Sequence, residues 1–244
     1  MFKTLSDIFD GETITMNVES YYERKVTSHI ARTPYAPEST YKFEFSAYDE
    51  ELDDAGTFAF LILKVQEYAN IENAVEYADY KGGDEYPTVE YARDFLRKNQ
   101  NYYKAVLEQD ECITICEMHN LYVSPKHRGK GISEAIKLML PALLMENGYS
   151  SAVITTYINP FVRQTDITEH TETSADGFGG YVDKDKEVDP TLHKIMDKSL
   201  KRCGFMDMGN RYYATTSDDL LALAEDVLDS FQSYPYYPPY YEEE

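Results

Sequence analysis

LYVSPKHRGKGIS, residues 121–133, changes its hydrophobic period midway. Upstream, residues 112–123 alternate as a strand does; downstream, residues 133–147 (SEAIKLMLPALLMEN) repeat apolar side chains at helical spacing. Between them Pro125 turns the chain, and Gly129 and Gly131 permit the backbone bends that bring several N–H groups to one spot. That spot is the positive end of the following helix, where unpaired amides and the macrodipole favour a phosphate. The spacing is not that of a nucleotide-triphosphate loop, which needs four residues between its first Gly and a Gly-Lys-Ser/Thr.

Working outward, Gly148 is placed to close the helix as its C′ residue, and Pro141 inside it is expected to kink it. Residues 152–158 (AVITTYI) read as the next strand, parallel to 112–123 and reached by a right-handed crossover. On the N-terminal side, 13–19 and 41–48 alternate as strands, with Tyr41, Phe43 and Phe45 on one face. Asp53-Asp54-Ala55-Gly56 signals a turn into a buried partner strand at 57–68. Residues 69–86 read as polar and turn-rich, and 87–108 as an amphipathic helix opening at Pro87, with Ala92, Phe95, Leu96, Asn99, Tyr102, Tyr103 and Val106 at helical spacing. That helix either covers the sheet or walls a substrate site.

Beyond the second motif strand, residues 160–189 are rich in Gly, Thr and acids and read as a loop or lid. Asp189 caps and Pro190 starts a helix with Leu192, Ile195, Met196 and Leu200 on one face, ending at Cys203-Gly204-Phe205 before a strand at 210–216. Residues 217–232 form a further amphipathic helix with Ser217 as its cap, and 233–244 (SYPYYPPYYEEE from Ser233) a Pro/Tyr-rich acidic tail.

The charge balance is the compositional outlier: 44 acidic against 23 basic residues give a net charge of -21 over 244 residues. Such a field opposes binding to nucleic acid or an anionic membrane and draws cations, amines and basic protein surfaces. Cys112, Cys116 and Cys203 make no disulfide framework and no zinc-ligand spacing, so no metal is expected; Cys112 and Cys116 should share a strand face as buried thiols. With neither an apolar signal core nor a run of transmembrane length, the expectation is a reducing, cytoplasmic location.

The order strand, Pro turn, Arg128-Gly129-Lys130-Gly131-Ile132-Ser133, helix resembles motif A of the GNAT family of N-acetyltransferases, Arg/Gln-x-x-Gly-x-Gly/Ala, with Ser133 in place of the last Gly/Ala. The helix closed by Gly204-Phe205 resembles the family's motif B. The resemblance covers roughly 112–216, more loosely from 13. It implies an α/β (α+β) fold with a mixed, mostly antiparallel central sheet flanked by helices, and a parallel, splayed strand pair at the cofactor site. Residues 1–216 would form the acetyltransferase-like domain, with insertions at about 69–108 and 160–189. It further implies acetyl-CoA as co-substrate, its pyrophosphate on Arg128, Gly129, Lys130, Gly131, Ile132 and Ser133, its pantetheine arm along the main chain of Leu121, Tyr122 and Val123, and a role for Asn159. Lys126, His127 and Lys130 add positive charge beside the loop.

Acetyl transfer to an amine needs a proton acceptor, donors for the oxyanion, and a stable departing thiolate. Strand alternation places Glu117, His119, Leu121 and Val123 on one face, and Glu117 and His119 fall where family members carry their base; either takes the proton directly or through water. The family's general-acid Tyr position is Leu200 here, which leaves Tyr157, Tyr212, Tyr213 or an unaided thiolate. The expected function is transfer of acetyl to a primary amine, a small cationic amine or a protein lysine or N-terminus. The alternative is a catalytically inactive acidic binding or inhibitor protein on the same fold, of the DNA-mimic kind.

Overall fold

The computed structural model describes residues 2–9, 14–23, 38–49, 54–81, 85–104, 112–149, 151–158 and 190–231. In chain order these form α1 (Leu5–Ile8), β1 (Ile14–Glu23), β2 (Glu38–Asp49), β3 (Asp54–Tyr68), α2 (Ile71–Lys81), α3 (Glu85–Lys98), β4 (Ile113–Val123), α4 (Ile132–Glu146), β5 (Val153–Tyr157), α5 (Pro190–Arg202), β6 (Met206–Gly209), β7 (Tyr212–Thr216) and α6 (Ser217–Phe231). A short 3-10 turn, Pro125–His127, joins β4 to the glycine loop. The strands make one seven-stranded sheet in the order β1-β2-β3-β4-β5-β7-β6, antiparallel throughout except for β4 with β5. The mixed, mostly antiparallel sheet flanked by helices is therefore as the sequence implies. Among the described residues no helix is long and apolar enough to cross a membrane.

Period-two alternation divides the sheet's two faces. Phe43, Phe45, Leu61, Leu63, Val65, Cys116, Met118 and Ile154 face one core, which α4 completes with Ala135, Ile136, Leu140, Leu143 and Leu144. Side chains buried this fully contribute roughly 1.5–3 kcal/mol each for the larger aliphatic ones. Ile113, Ile115, Val153 and Ala214 face the other way, against Ile71, Ala74 and Ala78 of α2 and Val89, Ala92, Phe95 and Leu96 of α3. The inserted helix thus covers the sheet, one of its two expected uses.

Several sequence expectations change. Residues 69–86 are not loop throughout: α2 occupies Ile71–Lys81, started by Asn70, whose side chain accepts from the Asn73 N–H at 2.9 Å. The helix expected over 87–108 begins at Glu85 and stops at Lys98; Asn99 donates its side-chain amide to the Phe95 carbonyl, and helix resumes over 100–104. Val106 lies outside the described residues. Ala55 and Gly56 belong to β3 rather than a turn, paired with Tyr48 and Ala47. Ile195 does not join the buried face of α5; it is 61% exposed while Leu200 is buried.

Gly204 closes α5 at φ 79°, with Phe205 N–H donating back to Leu200 O and Gly204 N–H to Lys201 O. The strand after it is a hairpin, β6 with β7, turned by Asn210 and Arg211, both at positive φ. Ser217 is not the cap of α6: Thr216 Oγ1 accepts from Asp219 N–H at 2.9 Å, while Ser217 Oγ accepts from Ala152 N–H and ties the helix to the head of β5. Cys116 is a buried thiol as expected; Cys112, half-buried just before β4, instead points its thiol at Glu67. The tail 233–244 and the segment 160–189 lie outside the described residues.

Candidate active site

Two features converge at the C-terminal part of β4. The first is the loop that sequence singled out. Gly129 and Gly131 sit at φ 76° and 92°, so both expected left-handed bends are present, and Gly131 is the N-cap of α4. Among the described residues no acceptor is seen for the N–H groups of Gly129, Gly131, Ile132 or Ser133, the state in which a helix start attracts an anion. Beside them lies a cleft of about 380 Å³ whose lining includes Lys3, Lys130 and Arg202 against the single acid Glu134. Arg202 and Glu134 are 3.4 Å apart.

The loop is braced from behind. Arg128 Nε donates to Val123 O at 3.1 Å, folding the side chain back onto the strand end, and Ser124 Oγ and His127 Nδ1 share a hydrogen bond at 2.7 Å. His127 packs near Phe9 and Phe58, with ring centroids 5.7 and 6.0 Å away, so it anchors the turn rather than presenting charge to the cleft. The start of α1, the short helix whose C-cap is Phe9, is fixed by a capping box between Thr4 and Asp7.

The second feature is the pair Glu117 and His119. Register shows that β4 carries one extra residue here: Leu63 of β3 pairs with Met118 and Ile62 with Asn120, so His119 is a bulge. This corrects the expected four-residue face. Leu121 and Val123 pack toward the α4 core, whereas Glu117 lies on the α2–α3 side. The bulge keeps His119 beside Glu117, with Nε2 3.2 Å from Oε2. Tyr122 faces away from the α4 core and stacks on Phe60 at 5.1 Å.

Glu117 stands in a cross-strand row with Lys64 of β3 and Thr155 of β5. Thr88 of α3 closes over it, donating its hydroxyl to Oε1 at 2.8 Å. Burial alone would raise the Glu117 carboxyl, but the His119 hydrogen bond and charge, Thr88 and Lys64 together hold it below the usual carboxylate range. It is a better holder of a cation than an acceptor of protons. Sequence reading missed Thr88 and Lys64, although a lone lysine inside the apolar run TFAFLILKVQEY was a signal.

The parallel pairing of β4 with β5 runs from Ile115–Val153 to Met118–Thr156, where Thr156 Oγ1 also donates to Met118 O at 2.9 Å. β4 continues to Val123, so among the described residues its edge over 119–123 is not taken up by β5. Asn159 lies outside the described residues. Of the candidate acids, Tyr213 is engaged elsewhere: it is buried on the α4 side and donates to Asp197 at 2.7 Å, and burial and that bond hold its proton on. Tyr157 and Tyr212 stand on the Glu117 side, 4.9 Å apart, with Tyr91 of α3 stacked on Tyr212 at 4.3 Å and the Arg211 guanidinium 4.9 Å over Tyr157. Leu200 is buried in the main core.

A scan against protein-family models finds no family that matches this chain, and a search of curated proteins finds no matching relative.

Proposed function

We propose that the protein transfers an acetyl group from acetyl-CoA to a primary amine, on a fold of GNAT type. The observation that carries this reading is the placement on one strand of a carboxylate–imidazole pair and, at that strand's end, a helix start where, among the described residues, the amides of Gly129, Gly131, Ile132 and Ser133 have no acceptor. Strand order and the single parallel pair support it, because the open edge of β4 lies between the two features.

On this reading the pyrophosphate sits on the loop amides, assisted by Lys130, and the pantetheine arm follows the main chain of Leu121, Tyr122 and Val123. Glu117 accepts from His119 Nε2 and holds the ring; the basic lone pair is then on Nδ1, which takes a proton from the acceptor ammonium. The neutral amine attacks the thioester carbonyl carbon, main-chain N–H groups steady the oxyanion, the C–S bond breaks as the carbonyl re-forms, and the second proton of the attacking nitrogen passes to the departing sulfur. The thiolate leaves without a dedicated acid, which a thiol pKa of about 8.5 permits. The inactive-inhibitor alternative rests on the net charge of -21 and on Leu200 at the acid position. A phosphate loop is no asset to a mimic, so the enzymatic reading is preferred.

The test is binding. Acetyl-CoA at a hundredfold excess over its Kd should stabilise the protein by about 2.7 kcal/mol, seen as a raised Tm. Gly131→Asp puts a negative charge where phosphate should sit; Asp tolerates positive φ better than most residues, so the fold should survive while the Tm rise disappears. An unchanged rise in that variant sinks the loop assignment.

A further inference from the structure

Lys137 lies one turn into α4, the lone charge in the run Ile136-Lys137-Leu138-Met139-Leu140, and is only 4% exposed. A buried ammonium ordinarily needs a carboxylate. Among the described residues Lys137 has no ion pair; Nζ donates to Ser133 Oγ at 2.9 Å and to Ser199 Oγ at 2.8 Å. The groups that face it are few. Glu134 on α4 is turned to Arg202, and Cys203, just past the end of α5, is a thiol that burial pushes up to about 11. Among the described residues no carboxylate reaches ion-pair distance of the ammonium; Glu134 acts on it only as a more distant charge.

Ser133 supplies a reason for the buried charge. It is the second residue of α4, inside the first turn, whose amides find no acceptor among the described residues, and it is the position at which the chain departs from the Gly/Ala of the motif. Because Lys137 donates into the Ser133 oxygen, the Ser133 hydroxyl hydrogen is left for another acceptor, and a phosphate at the helix start is within its reach. We propose that Lys137 is a positioning residue for anion binding, a buried ammonium that acts through the Ser133 hydroxyl and finds its counter-charge in a phosphate of the cofactor seated on residues 129–133. This rests on the reading of the loop given above.

The coupling has a signature in protons. Burial lowers the Lys137 amine to about 8, so near that pH part of the free protein has lost the charge. A bound phosphate favours the ammonium and raises this value, so binding takes up protons between about pH 8 and the raised value and affinity falls as pH climbs through that window. Well below pH 8 the amine is already charged and no uptake occurs.

Calorimetry of acetyl-CoA binding to the full chain at about pH 8.5, in two buffers of different ionisation enthalpy, counts the protons. Acetyl-CoA itself does not titrate there, since its phosphates are already ionised. The expected result is uptake of a large fraction of a proton by the wild type. Lys137→Met, which suits a buried apolar site, should bind roughly tenfold more weakly at neutral pH and take up none. Binding without proton uptake, or the same uptake and affinity in Lys137→Met, overturns the role of Lys137 and leaves the loop reading standing. No binding by the wild type overturns both. Should Lys137→Met fail to fold, Ser133→Ala, which keeps a small side chain but removes the hydroxyl between ammonium and phosphate, should weaken binding and reduce the uptake; unchanged affinity and uptake in it overturn the role of Lys137.

Discussion

On the proposed function, the pairing of His119 with Glu117 gives the two side chains different chemical work. A carboxylate already held low by an imidazole, a hydroxyl and a lysine is a poor base, yet it fixes a tautomer well. His119→Ala should therefore lower the rate at neutral pH by 10²–10⁴, about the usual worth of a general base, and abolish the acidic limb of the pH–rate profile. Glu117→Gln should lower the rate less and keep an acidic limb. Neither should change acetyl-CoA affinity much, because the loop is untouched. Full activity with an unchanged profile in both variants and in the double variant would place the base elsewhere or mean that the acceptor arrives neutral. The sequence supplied both residues, because strand alternation brings positions 117 and 119 together. It could not supply their division of labour, which depends on Thr88 from a helix 29 residues away in sequence.

Elements were legible where local signals agree and obscure where a partner decides. The passage from β4 through the loop to α4 was readable because a change of period, a proline and two glycines all fall within a dozen residues. The bulge at His119 was not, since one extra residue shows only against the register of β3. That is why alternation alone puts Leu121 and Val123 on the Glu117 face, whereas the bulge turns them to the α4 core. The helix α2 hid because its buried stripe, Ile71, Ala74 and Ala78, is small and set among acids. The start of α6 was misread for a related reason: Thr216 and Ser217 are both capping residue types, and only the neighbouring strand shows which one caps. This assignment is testable by stability. Thr216→Val removes an ordinary cap at about 1 kcal/mol, whereas Ser217→Ala leaves the buried Ala152 N–H without its acceptor at about 1–3 kcal/mol. Urea denaturation should rank Ser217→Ala as the more damaging; the reverse order would mean that the cap, not the tie to β5, secures this helix.

Over the whole molecule, excess acid surrounds a local reversal. The net charge is -21, yet Lys3, Lys130 and Arg202 collect around the loop cleft. On the proposed function, the two signs would suit two substrates, an anionic cofactor at the head of α4 and a cationic acceptor drawn from solvent. Part of the acid is already spent within the helical cover, where Arg93 pairs with Glu90 and Arg97 with Glu72, so steering falls to the unpaired remainder. The acids at 166–187 lie outside the described residues, and their share is read from sequence alone. Steering of this kind changes encounter rate more than affinity, and at physiological ionic strength its range is only about 8 Å. With a cationic amine as acceptor, kcat/KM should fall several-fold between roughly 20 and 150 mM salt while kcat stays nearly constant. An uncharged amine of the same size should show a much flatter dependence. If the best acceptor in an amine panel is anionic, or if salt leaves kcat/KM unchanged for the cation, the acidity has no part in substrate choice.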